Sequence, residues 1–373
     1  DKGLLARGWK RSSIDSCLYT KQNIILVLYV DDACLMSPDK DLINKEIKSL
    51  QEQYNLTDDG ELQDYLGTRF TKQPDGSILL EQPRMIQRIL EMVGLGNNAQ
   101  ASDRVKTHDS PASSVNILDK DPDGTPHTYE WNYRSVVGCL SYLQAMIRPD
   151  LTMAVQQCAR FCNEPKQSHA TAVKRICRYL YKTRDKGFCF KPDATKGLEC
   201  YVDADWAGSW QDRTSNDPLS SRSRTGYIIT YAGCPIVWAS KLQTLVALST
   251  TEAEYIALST SLREVIALMN LINELRSLGF ALSVDTPKVV CTVFEDNRSC
   301  LEIATNHRTR PRTKHLSVRL HHFRSHILAK TINIQHISTK EQMADIFTKP
   351  LPRAQFIKLR DRFMGWDSLG ERE

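Results

Sequence analysis

The fold class predicted by this sequence is multi-domain α/β, and three observations predict it. The composition is globular, 41% hydrophobic and 25% charged over 373 residues, which leaves room for two or three domains with real cores. The stretch Leu198–Trp206, LECYVDADW, alternates so that Leu198, Cys200, Val202, Ala204 and Trp206 share one face of a strand while Tyr201, Asp203 and Asp205 take the other. From there the chain reads strand, strand, strand, helix, strand, helix, helix, strand, helix, which is the order of a mixed sheet flanked by helices.

Composition narrows the class further. A net charge of +5 is mild for this length, so the placing of the basic residues matters more than their total. Eleven cysteines without paired CxxC spacing read as reduced thiols and not as a disulfide frame. Cys158 and Cys162 with nearby His169 lack a second ligand pair at zinc-finger spacing, so buried helix-face cysteines are expected there. No apolar run approaches the ~20 residues of a membrane span, and no membrane partner is expected. Opening at Asp1 in mid-pattern, without a Met or a signal-like stretch, the sequence is expected to be a piece of something longer.

Taken in order, Cys17–Thr20, Ile24–Val30 and Ala33–Met36 read as strands joined by tight polar turns. The second of these, IILVLYV, is apolar throughout and is expected to be buried on both faces. It ends in two adjacent carboxylates, Asp31 and Asp32. Such a pair at the tip of a buried hairpin is costly unless a metal or substrate neutralises it, although Asp also serves in turns for its turn propensity alone. Glu61–Phe70 and Ser77–Glu81 suggest another hairpin, turning at Pro74-Asp75-Gly76, and Arg84–Val93 shows helical spacing. Gly94–Thr128 is rich in Asp, Ser, Pro, Gly and Asn and reads as linker.

Tyr133–Thr183 reads as helices interrupted before Pro149 and Pro165. The last of them carries Lys174, Arg175, Arg178 and Lys182 among Val173, Ile176, Tyr179 and Leu180; Lys174 and Arg178 are its candidate nucleic-acid contacts.

After the Leu198–Trp206 strand, Thr225–Tyr231 and Ile236–Ala239 complete an antiparallel meander. A helix follows with Thr251 as expected N-cap and Glu254 three positions on, and an apolar stripe Leu258, Leu262, Val265, Met269 and Ile272. The stripe puts Glu254 toward the sheet and Glu252 away from it, with cap and ligand roles competing for the same carboxylate. Lys288–Phe294 is a strand leading to Asp296. Arg308, Arg310, Arg312 and Lys314 crowd eight positions and, with Arg319, are candidate phosphate contacts. His322 and His326 stand on a helix face without a carboxylate or cysteine partner, so exposure or nucleic-acid contact is expected there rather than metal binding. Thr331–Ile337 is a last strand, and Asp345 falls just inside the helix after a Ser338/Glu341 capping box. Singly, Asp203, Glu254, Asp296 and Asp345 are ordinary among 44 acidic residues. Delivered to one place by separate elements, four carboxylates suit divalent-metal phosphodiester hydrolysis, because hard oxygen ligands hold Mg²⁺.

Tyr29-Val30-Asp31-Asp32 resembles the catalytic hairpin of reverse transcriptases, and SIDSCLY at 13–19 and LQDYLG at 62–67 resemble the copia-type class of LTR retrotransposon Pol polyproteins. GCLSYLQAMIRPDLTMAV and HATAVKRICRYL resemble the thumb and connection region of the same family. VDADWAG at 202–208, ALSTTEAEY at 247–255, EDN at 295–297, RTKH at 312–315 and MADIFTKP at 343–350 resemble its ribonuclease H. The resemblance implies a truncated reverse transcriptase palm and the start of the thumb over 1–93, a linker over 94–128 and a helical thumb/connection over 129–195. A ribonuclease H-like mixed sheet flanked by helices follows over 196–350, with a C-terminal tail over 351–373.

It further implies that Asp203, Glu254, Asp296 and Asp345 bind two Mg²⁺ ions, with Mn²⁺ as an alternative, and cut the RNA strand of an RNA/DNA hybrid. Asp31 and Asp32 would be two of three polymerase ligands. The third, with the fingers, belongs ahead of the 28 residues that precede Tyr29. Implied partners are the hybrid and the remainder of the polyprotein, integrase and N-terminal reverse transcriptase part. The implied location is intracellular, in a cytoplasmic virus-like particle, with the nucleus as an alternative. Rival readings are polymerase activity once the missing part is supplied, and a relic that only binds nucleic acid. His336 is the candidate proton shuttle, although the short segment from it to Met343 sets it in the strand.

Overall fold

The structure is a computed structural model that describes residues 1–96, 105–114, 118–212, 215–282, 288–305 and 322–367. Three sheets organise it.

The first sheet is antiparallel, β1 (Lys10–Arg11), β2 (Leu18–Lys21), β3 (Ile24–Tyr29) and β4 (Asp32–Met36) in that order. Helices α1 (Lys2–Ala6) and α2 (Lys40–Gln51) belong to its small core of Leu4, Trp9, Tyr19, Ile24, Leu26 and Leu50. Here the structure corrects the sequence reading. In β3, Ile24 and Leu26 are buried, but Ile25 and Val27 are only half-buried, because helices cover one face of the sheet and strand side chains alternate.

The second sheet runs β5 (Asp64–Tyr65), β6 (Thr68–Lys72), β7 (Ile78–Glu81) and β8 (Phe188–Phe190). Its last strand arrives only after four helices: α3 (Pro83–Met92), α4 (Tyr133–Met146), α5 (Thr152–Ala159) and α6 (Gln167–Lys182). Local hairpin logic finds β6 and β7, whereas the pairing of β7 with β8 spans more than a hundred residues.

The third sheet has the order β11-β10-β9-β12-β13, with β9 (Leu198–Asp205), β10 (Arg224–Tyr231), β11 (Cys234–Leu242), β12 (Cys291–Glu295) and β13 (Ile332–His336). The first three form the antiparallel meander, and β12 and β13 add in parallel to β9. This is the mixed sheet that the strand order predicts. Helix α7 (Thr250–Ser277) lies on one face, its Ala253, Ala257, Leu258, Leu262 and Val265 packed with Cys200, Val202 and Tyr227. By length and composition α7 is also long and apolar enough to cross a membrane, which a search for unbroken apolar runs does not pick up. Its buried stripe is spent on the sheet.

The other face carries Tyr201 and Ile228, which join the core of α3–α6. Helix α8 (Arg298–Thr305) follows β12 on the α7 side, while two more helices, α9 (Asp345–Thr348) and α10 (Arg353–Met364), lie with the helical core and complete its layer. The stretch expected as a tail is thus a core helix over most of its described part, because Phe356, Leu359 and Phe363 recur at three- and four-residue spacing and are buried with Trp366. At the centre of this layer Arg148 and Asp150, both fully buried, meet through two hydrogen bonds of 2.9 and 2.8 Å, and Tyr179 donates to the same carboxylate at 2.6 Å. Burial opposes the Asp150 charge, but Arg148 outweighs it and holds the carboxyl below its ordinary range.

Candidate metal centre

The candidate site forms where β9 and β12 part. The two strands pair in parallel from Leu198 and Cys291 to Tyr201 and Phe294 and no further. Their carboxyl ends then diverge beside the antiparallel neighbour β10, a switch in direction of the kind that leaves a crevice in α/β sheets. Buried Gln342 fills the gap, donating from Nε2 to Val202 O at 2.9 Å and Phe294 O at 3.3 Å and accepting from Ala344 N at 3.2 Å. The residue after Val202 is Asp203 and the second after Phe294 is Asp296, so this side chain spaces the two strands that carry them.

Asp203, Glu254 and Asp296 each bring a carboxylate oxygen within 4.8 Å of the other two. Among the described residues they are the only such group of three or more His, Cys, Asp or Glu. Asp203 and Glu254 are buried and Asp296 is half-buried. Thr348 donates its hydroxyl to Asp203, and Thr339 donates to Asp296 at 2.7 Å.

Glu254 is free for this place because it is not the cap. The N-cap of α7 is Ser249, not Thr251: its hydroxyl accepts from Glu252 N at 3.2 Å, and Glu252 reaches back to accept from Leu248 N at 2.9 Å. The sequence holds the cap pattern twice, at 249–252 and 251–254, and the earlier one wins, so the expected competition between cap and ligand roles does not arise. Glu254 Oε2 is buried with no hydrogen-bond partner.

Asp345 opens α9 beside Asp203 but outside the three-carboxylate group. Lys349, one turn later, lies 2.8 Å from Asp345 Oδ1 and 3.7 Å from Asp203 Oδ2. Helix α9 comes this close because position 226, opposite Asp203 on β10, is glycine: a Cβ there would lie 2.6 Å from the Thr348 methyl and 2.8 Å from Phe347 Cβ.

Crowded burial raises the proton affinity of these acids. Burial, then Asp203 and Glu295, pushes Glu254 well above the ordinary carboxylate range. Burial likewise raises Asp203 against the pull of Lys349 and Thr348, and burial together with Asp203 brings Asp345 to about 7. For Lys349 burial works against the charge, but Asp203 and Asp345 outweigh it and hold the ammonium protonated.

The other sequence candidates fall elsewhere. Asp31 and Asp32 are exposed at the β3–β4 turn, where Tyr29 pairs with Asp32 and Val30 stands at φ 53°. Arg178 lines a cleft of about 960 Å³ together with His108, Arg175, Asp205, Gln211 and Lys349, so the cleft runs from α6 to Thr348 and Lys349, the residues that touch Asp203. Lys174 instead sits over the ring of Tyr129, 3.7 Å from its centroid. Arg308, Arg310, Arg312, Lys314 and Arg319 lie outside the described residues. His336 ends β13 in register with Glu295, and His169 is held by Lys166 N and Asp119 O. Sequence reading gave no role to Gln342, Thr348 or Lys349. Only Lys349 left a signal, its four-residue spacing from Asp345.

The reverse transcriptase (RNA-dependent DNA polymerase) family model matches residues 1–105. The retrovirus-related Pol polyprotein from transposon TNT 1-94 of Nicotiana tabacum is 34% identical over 95% of the chain, and that from transposon RE1 of Arabidopsis thaliana 32% over 95%. The chain belongs to the copia-type Pol polyprotein family. It spans about a quarter of the length of these relatives, 26% and 23% respectively. Among solved structures, a ribonuclease H1 isolated from compost by a metagenomic approach is similar over 41% of this chain and 92% of its own, at 16% identity and a TM-score of 0.29.

Proposed function

We propose that the chain, a reverse transcriptase and ribonuclease H region of such a polyprotein, hydrolyses the RNA strand of RNA/DNA hybrids at Asp203, Glu254 and Asp296. The observation that carries this reading is three carboxylates from three elements with oxygens within 4.8 Å, one of them, Glu254, presenting a buried oxygen that nothing in the protein satisfies. The donor set fits a hard divalent cation: every donor is a carboxylate oxygen, and like charges this close repel unless a cation or protons intervene. Asp203, Glu254 and Asp296 would hold Mg²⁺ or Mn²⁺, with Asp345 beside them. Bound there, such ions supply an activated water and charge neutralisation at the phosphate.

The chain's own residues do the rest. Thr348 and Thr339 fix the rotamers of Asp203 and Asp296 by hydrogen bonds, and Gln342 sets the gap across which the carboxylates face each other. Arg175 and Arg178 border the cleft that ends at Thr348 and Lys349 and would take backbone phosphates of the hybrid. Strand choice would rest on the 2′-hydroxyl that RNA alone carries.

The family match over residues 1–105 favours a second reading for the other end. Asp31 and Asp32 would serve RNA-directed DNA synthesis when the rest of the polyprotein completes the polymerase.

The test is cleavage of a labelled RNA/DNA hybrid by the purified chain with Mg²⁺, with EDTA, and with Asp203→Asn. RNA-strand cutting that needs the metal and disappears in the variant supports the reading. A folded chain that binds the hybrid without cutting it would overturn the nuclease in favour of a nucleic-acid-binding relic, and primer extension tests the polymerase separately.

A further inference from the structure

The fourth carboxylate of the site is already partnered. Asp345 stands outside the three-carboxylate group, beside Asp203, and the ammonium of Lys349 lies against both carboxyl groups, 2.8 Å from Asp345 and 3.7 Å from Asp203. This is a local ion pair between side chains four residues apart. Asp345 and Lys349 begin and follow the single turn of α9, and that turn is pinned to the sheet by the close approach at Gly226 and by the Thr348–Asp203 hydrogen bond. Charge counting gives the pair a purpose. Four carboxylates opposed by one divalent ion keep an excess of negative charge, and an ammonium lodged against two of them removes part of it without a second ion. The Lys349 side chain is 36% exposed and lines the same cleft as Arg175 and Arg178, so it has a way out toward an incoming phosphate.

We propose that Lys349 is the resident second cation of the site: without nucleic acid the chain takes one divalent ion, at Asp203, Glu254 and Asp296, and Lys349 holds the Asp203–Asp345 position until a phosphate in the cleft draws its ammonium away. The inference rests on the metal-site reading above and adds the number of ions and the residue that sets it. Lys349 so acts on metal loading, which is separable from turnover.

The experiment is a titration of the full chain with Mn²⁺ in the absence of nucleic acid, counting bound ions by loss of the free-ion electron paramagnetic resonance signal. Wild type, Lys349→Met and Lys349→Arg are compared, with circular dichroism to establish folding and Lys349→Gln as the substitute if the Met variant unfolds. Expected are one ion for wild type and Lys349→Arg, and a second ion for Lys349→Met bound at least tenfold more tightly than any second ion in wild type. Two ions of comparable affinity in wild type, no bound ion at all, or identical titrations of wild type and Lys349→Met would overturn the proposal. Hybrid cleavage by the same preparations separates the two readings. Cleavage with two equal ions in wild type removes this inference and leaves the nuclease, whereas the one-against-two pattern without cleavage removes the nuclease and leaves the inference.

Discussion

Two pairs of strand ends in this molecule carry acids, and they could hardly be set differently. At the β3–β4 turn Asp31 and Asp32 are adjacent in sequence, exposed and carried by one hairpin. At the β9–β12 divergence Asp203, Glu254 and Asp296 come from three elements spread over more than ninety residues, and two of them are buried. Water solvates the first pair at little cost, whereas the second group is held together against its own repulsion by the packing of α7 and α9 on the sheet. The contrast teaches where to look for stored electrostatic work. It lies in carboxylates the fold forces together, and adjacency in sequence is no guide to it.

Several substitutions would break or sharpen this contrast. The largest effect is expected for Asp203→Asn in hybrid cleavage, a loss beyond the roughly 10–100-fold that outer partners of a metal site cost. The double change Asp31→Asn, Asp32→Asn should leave that rate unaltered, and equal losses for both would erase the distinction. Next comes Gly226→Ala, which forces α9 off the sheet and should cost about 1–3 kcal/mol in denaturant unfolding, with cleavage falling as well.

Smaller and opposite in sign is Glu254→Gln without metal. A carboxyl whose folded pKa is raised loses stability as pH climbs from its ordinary value toward the raised one. The variant lacks that slope and should be the more stable chain at pH 8 by on the order of 1 kcal/mol, a reversal that added Mg²⁺ abolishes. His169 is a third kind of group, buried but fully partnered. Burial lowers its pKa, so its contribution is complete above the unfolded value of about 6.5 and is lost as pH falls below it; His169→Asn should flatten that arm of a Tm–pH profile. Least of all, Asp31→Asn should shift stability by no more than about 0.5 kcal/mol.

Much of this was legible before any coordinates. The alternation of LECYVDADW names the face of Asp203, and the three- and four-residue spacing after Glu254 turns it toward the sheet, because both periods follow from backbone geometry alone. The β3–β4 hairpin was readable for the same reason. What failed was anything decided by a distant partner. Whether β3 is covered on one face or two depends on how many helix layers arrive, and the pairing of β7 with β8 depends on chain that lies four helices away. Ser249 and Thr251 offer the same cap pattern, and only packing of the helix start chooses between them. Gln342 looks like any polar loop residue until the gap it fills is known.

The last helix has a consequence for how the molecule is made. Phe356, Leu359, Phe363 and Trp366 complete the core that α4, α5 and α6 begin, and Trp366 donates to Gly187 O at 2.7 Å beside β8. A ribosome therefore releases the helical layer with its centre open, Arg148 still waiting for the ring of Trp366 that stacks 5.6 Å from it. Some two hundred residues of synthesis separate the two, roughly ten to forty seconds at ordinary elongation rates. During that interval the apolar face that Phe356, Leu359 and Phe363 will cover stays open to aggregation.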